Sequence, residues 1–192
     1  MELSFPALMA LLRETLRDPH AAARRVMGTP LPDGARWQAL LLVVVLSVIL
    51  LQLAVMLSGG QTGGVMMSGL LQGAVLVGTV LAVHYIGRAF GGSGTFPDAL
   101  ILMAWLQFVT LCFQVAQIVT LLIVPPLAGL VAIASVVVFL WLLVSFIQAL
   151  HGFRSRVMVL FGLLASFFAL AFALSFVLAL LGVSVPGAFD DV

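Results

Sequence analysis

LILMAWLQFVTLCFQVAQIVTLLIV, residues 100–124, holds 25 residues without a formal charge and runs into Pro125-Pro126 and a second apolar stretch, Leu127–Leu150. At about 1.5 Å of rise per residue, either stretch is long enough as a helix to cross the roughly 30 Å hydrocarbon core of a bilayer. The prolines leave almost no loop, so the two helices must be adjacent and antiparallel. Within the first, Gln107, Thr110, Gln114 and Gln117 recur at intervals of three, four and three, which gathers them on one side of the helix. That polar stripe should face protein, because hydrogen-bonding groups left in lipid are costly.

Outward from this pair, the rest of the chain reads as an all-α polytopic bundle. Of the 192 residues, 64% are hydrophobic and 8% charged, with a mean hydropathy of +1.30, far from the roughly 25% charge of a soluble domain. Three further spans are predicted at 39–57, 65–86 and 157–181, giving five with 100–124 and 127–150. Trp37 enters the first, as headgroup-level aromatics do. The second carries Gly69 and Gly73 in GxxxG spacing, with Ala74, Gly78 and Ala82 beside them. The fifth aligns Gly162, Ala165, Ser166, Ala169 and Ala173. Such small-residue faces let helices approach closely.

Residues 1–36 form the N-terminal segment, with five of the eight arginines and four of the seven acids. Phe5, Leu8, Met9, Leu12 and Leu16 fall on one side of a helix opened by Pro6, with Arg13, Glu14 and Arg17 towards the other, the pattern of an interfacial helix. Asp18-Pro19 reads as an N-cap with proline in the first helical position, and that second helix should stop at Gly28. Residues 183–192 form a short acidic tail. Five spans put the termini on opposite sides. With the N-terminus in the cytoplasm all eight arginines stay inside and Asp190-Asp191 outside, which fixes the expected orientation as that of a multi-pass protein of a bacterial inner membrane.

No span contains a formal charge, so intramembrane carboxylate chemistry is excluded, and no catalytic residue is expected. His20, His84 and His151 have no metal-ligand spacing, and the single cysteine, Cys112, sits inside a span; neither a metal nor a cofactor is expected. Gly91-Gly92-Ser93-Gly94-Thr95 fails the nucleophile-elbow pattern at Thr95, and without lysine it is no phosphate loop. Thr95 and Asp98 instead have capping-box spacing at the start of the third span. No basic, aromatic-interleaved run suits nucleic acid.

Gly91-Gly92-Ser93-Gly94-Thr95-Phe96 with Asp98-Ala99, and Trp141 through Ala149-Leu150-His151-Gly152-Phe153 leading past Arg154 over Arg156, resemble the Yip1 domain family of small five-span membrane proteins. Asp18-Pro19 followed by Ala22-Ala23-Arg24 is similar to the N-terminal approach of its bacterial members. The resemblance implies a cytoplasmic N-terminus and a C-terminus across the membrane. Eukaryotic relatives contact small GTPases through a longer N-terminal region and an Asp-Leu-Tyr-Gly-Pro motif that this chain lacks, so GTPase binding is not carried over. Three functions are open: a non-enzymatic scaffold or accessory subunit contacting itself or another membrane protein, a small transporter or lipid-handling protein using the polar stripe, and a surface sensor whose N-terminal helix reads anionic lipid.

Overall fold

The computed structural model describes residues 4–60 and 64–180, with side chains of the last helix described to Phe168 and at Phe172. The acidic tail and the tip of the glycine-rich turn after the first span lie outside the described residues. Among the described residues, seven helices follow in order: α1 (Phe5–Arg17), α2 (Pro19–Met27), α3 (Asp33–Leu57), α4 (Val65–Ala89), α5 (Phe96–Ile123), α6 (Pro125–His151) and α7 (Arg156–Leu180). The chain divides into two compact units, residues 1–154 and residues 155–192. Among the described residues, α3 to α6 are each long and apolar enough to cross a membrane; α7 is a 25-residue helix whose described apolar stretch is Arg156–Phe168.

The helix starts follow the local chemistry. Asp18 Oδ1 accepts from the Ala21 N–H at 2.9 Å, with Pro19 in the first turn of α2. Thr95 Oγ1 accepts from the Asp98 N–H at 3.3 Å and donates to the Asp98 carboxylate, so the box that opens α5 forms as its spacing predicts. Gly28 ends α2 in a right-handed conformation, its N–H bonded to Arg24 O at 2.9 Å. Only Val124 separates α5 from α6, and the two helices pack side by side. Each of the four long helices exceeds its apolar run: α5 has 28 residues and α6 has 27, about 40 Å or more each, so both outreach a roughly 30 Å core.

α5 is the central element of the first unit, touching α2, α3, α4 and α6. Every residue from Ala99 to Leu106 is buried, a helix segment apolar all round and covered all round. On α6, Leu142–Ile147, Leu150 and His151 are buried beside it. Towards Pro125 the picture reverses, with Val115, Val119 and Leu122 of α5 and Leu130, Ile133, Val136 and Val137 of α6 all exposed. One end of the unit is therefore packed by protein, and the other presents a broad apolar surface.

The packed end is filled by α1 and α2. Ala22 and Ala23 are fully buried, and α2 lies against α1, α5 and α6. Thr15 is fully buried too. Its hydroxyl donates to Leu11 O at 2.8 Å and accepts from the Trp105 indole N–H at 3.0 Å, which ties α1 to α5. Arg25 pairs with Glu14 at 2.6 Å and joins α1 to α2, an exposed contact worth little by itself. The docked side of α1 is thus Leu11 and Thr15, not the Phe5–Leu16 face whose apolar character the sequence emphasises; Phe5 and Leu16 remain exposed. Both sides of α1 are apolar, and the hydroxyl that can satisfy a buried indole decides which one docks.

Replacing Thr15 with Val would leave the Trp105 N–H buried and unpaired, at a cost of about 1–3 kcal/mol. Thermal unfolding in mild detergent should therefore show a clear loss for Thr15→Val and almost none for Thr120→Val, whose hydroxyl only bonds back to Ala116 O within its own helix.

Candidate functional site

Two polar clusters stand out within the first unit. At the packed end, the loop after α4 and the end of α6 close around the His151 imidazole, which is 3% exposed. The Gly94 N–H donates to Nδ1 at 3.2 Å, and Nε2 lies 3.0 Å from Val83 O. An N–H can only donate and a carbonyl can only accept, so these partners select the neutral ring with its proton on Nε2. The Ser93 N–H donates to the His151 carbonyl at 3.3 Å, and Phe153 stacks on the ring at 5.5 Å. Both ring nitrogens are thereby occupied, leaving neither a lone pair for a metal nor a group poised for proton transfer. Among the described residues, no three His, Cys, Asp or Glu side chains are grouped to hold a metal ion.

The glycines of this loop make room for the ring. A Cβ on Gly87, Gly92 or Gly94 would run into His151, and on Gly94 it would also lie 2.6 Å from Leu150 Cγ. Gly91 at φ +84° and Gly152 at φ +70° adopt the left-handed conformation that lets the chain leave α4 and α6. Beside this latch, Phe96 lies between Trp37 at 6.1 Å and His84 at 5.8 Å, joining α3, α4 and α5 at the same level. Arg154 and Arg156 follow at the turn into α7.

The polar stripe of α5 is split. Gln107 Nε2 donates to Ser47 Oγ of α3 at 3.1 Å, and Ser47 is fully buried. Thr110 Oγ1 bonds back to Leu106 O at 3.0 Å. The bond that the stripe makes across helices thus goes to Ser47, while the Ser145 hydroxyl of α6 turns to Trp141 O at 2.8 Å. Further along, Gln114 and Gln117 line a cavity of about 420 Å³ with Leu50, Ala54, Val55 and Leu121 among its walls. Gln114 Oε1 is buried there with no hydrogen-bond partner. The half of the stripe nearer the latch closes the α3–α5 interface; the other half faces a cleft.

Small residues on α4 also divide. Gly69 and Gly73 lie against Val48 and Val44 of α3, each with a prospective Cβ contact of 3.9 Å. Ala74 and Gly78 are exposed, with open space beside Gly78, and Ala82 is half-buried. In α7, Ser166 bonds back to Gly162 O at 2.7 Å and Ala165 is exposed, while the side chains of Ala169 and Ala173 lie outside the described residues. Sequence reasoning missed Ser47, Val83 and Gly87. Val83 acts through its carbonyl, which carries no sequence signal, and the contacts of Ser47 and Gly87 join residues about 60 positions apart.

Gly92→Ala and Gly94→Ala should each cost about 1–3 kcal/mol by overpacking the histidine, whereas Gly129→Ala, with nothing within 4 Å of its added methyl, should stay within about 1 kcal/mol of the parent. The loss in Gly94→Ala should be partly recovered when His151→Ala is added, a non-additivity that a double-mutant cycle of unfolding midpoints would measure.

The Yip1 domain model matches residues 13–178, from within α1 into α7 and across both polar clusters. No curated protein and no solved structure matches the chain. The match takes in the glycine loop at 91–94 and His151-Gly152, which the fold brings together as one latch, and all four membrane-length helices; the chain belongs to the Yip1 domain family of membrane proteins.

Proposed function

We propose that this protein is a non-enzymatic scaffold or accessory subunit of a bacterial inner membrane, working through helix–helix contacts with itself or with another integral membrane protein. In this reading α7 is a fifth span, the N-terminus is cytoplasmic and the C-terminus lies across the membrane. The arginine distribution supports that orientation, since it keeps every positive charge on the α1–α2 side. The observation that carries the contact role is the free edge of α4, where Ala74 and Gly78 are exposed and a Cβ on Gly78 meets nothing within 4 Å. Two helices can approach closely along such an edge, where backbone contacts and packing replace the hydrophobic effect that lipid does not supply. The histidine latch, with both nitrogens occupied, supports a structural role for the most polar part of the buried end.

A second reading is favoured by the cleft at Gln114 and Gln117. Its walls are largely apolar with Gln114 and Gln117 among them, an arrangement that suits a small transporter or a lipid-handling protein.

The two readings separate by experiment. A Gly78→Cys variant in a Cys112→Ala background, treated with a short bifunctional thiol reagent in native membranes, should give a cross-linked dimer or a larger adduct, and Gly78→Leu should abolish co-purification of the same partner. A product confined to the monomer would overturn the contact role. Under the cleft reading, Gln114→Leu with Gln117→Leu should abolish flux or lipid binding while raising stability; under the scaffold reading, both variants should keep the cross-link.

A further inference from the structure

α1 has three differently equipped sides. At 100° per residue, the docked residues Leu11 and Thr15 point one way; Phe5, Met9, Leu12 and Leu16 lie about a third of a turn round; and Arg13 and Arg17 lie about a further quarter turn round. The second side is apolar and only partly covered within the unit, with Phe5 72% and Leu16 41% exposed and Met9 and Leu12 half-buried. Both arginines are exposed as well. A helix lying between protein, hydrocarbon and water needs those three sides in that order.

The level of α1 along the bundle agrees. Its Thr15 is bonded to Trp105, and from Trp105 to Ile123 α5 rises about 27 Å, close to the roughly 30 Å thickness of the hydrocarbon core. Trp105 and, on α6, Trp141 thus stand near one membrane boundary if the Val124–Pro125 turn stands near the other. A helix fastened at that depth has its apolar side against the outermost acyl segments and its arginines among the headgroups.

We infer that α1 is an interfacial helix whose Phe5–Leu16 side is buried in the bilayer, and whose Arg13 and Arg17 bind anionic phospholipid headgroups. Charge complementarity selects the occupant. Two exposed guanidiniums border the apolar side, while Glu14, the acid on the same helix, is turned to Arg25 of α2. This surface is separate from the α4 edge, so it stands or falls independently of the proposed partner contacts.

The test uses the full chain in vesicles, with Cys112→Ala and a single environment-sensitive fluorophore on Leu16→Cys or, for reference, on Arg24→Cys. In vesicles of phosphatidylcholine with phosphatidylglycerol, the probe at 16 should be blue-shifted, quenched by shallow spin-labelled lipid and at least threefold less sensitive to aqueous iodide than the probe at 24. Lowering the phosphatidylglycerol content, or introducing Arg13→Gln with Arg17→Gln, should weaken that protection in the same direction. Equal iodide quenching at 16 and 24 would overturn the burial, and would mean that this side faces water or a protein partner. Protection at 16 indifferent to lipid charge and to both arginines would overturn the headgroup assignment.

Discussion

The packing of Ala99–Leu106 governs the rest of the first unit. These residues leave no side of α5 uncovered, and α5 is the helix that α2, α3, α4 and α6 all touch. In water, burying so apolar a segment would be driven by area alone. At the membrane boundary, where Trp105 stands, it depends also on close packing and on satisfying each polar group brought along. The indole of Trp105 illustrates the second condition. Its N–H sits in a buried position and is bonded to Thr15, a residue of α1, so the N-terminal helix is part of the same structure as the spans. The His151 latch has the same character at the adjoining helix ends, where one imidazole draws together a carbonyl of α4, an amide of the glycine loop and the end of α6.

This arrangement makes the unit asymmetric along the membrane normal. Near α1 and α2, the helices are held by specific hydrogen bonds and by glycines with no space to spare. Towards the Val124–Pro125 turn, they present long apolar side chains outward and enclose a cleft with a buried, unpartnered amide oxygen. The division of the glutamine stripe follows this asymmetry, since Gln107 is locked to Ser47 and Gln114 is not.

Much of this was legible in the residues. Length and the absence of charge located the four long helices, and Asp18-Pro19 and Thr95-Asp98 announced the starts of α2 and α5, because capping chemistry is local. The rotational setting of each helix was not legible. In α3, apolar residues surround the helix so evenly that nothing marks Leu40, Val43, Val44, Ser47 and Val48 as the buried side, and Ser47 could not be matched to Gln107. On α1 two apolar sides competed, and tertiary contact with Trp105 chose between them. The glycines at 91–94 announced a turn, but their fit around a histidine some 57 residues later is a property of the assembled fold. The polar stripe was visible as a stripe; that half of it would close an interface and half line a cleft depended on where α3 ends.

The central claim is that α5 changes from protein-covered to lipid-covered along its length. A site-directed spin-label scan from position 99 to 123 in vesicles tests it directly, with oxygen as the lipid-phase relaxant and a nickel chelate as the aqueous one. Labels at 99–106 should be immobile and shielded from both relaxants, while those at 115, 119 and 122 should be open to oxygen and the label at 118 protected. A helical oscillation of oxygen accessibility continuing unchanged through 99–106 would contradict the account, since it would open to lipid a segment that is buried on every side.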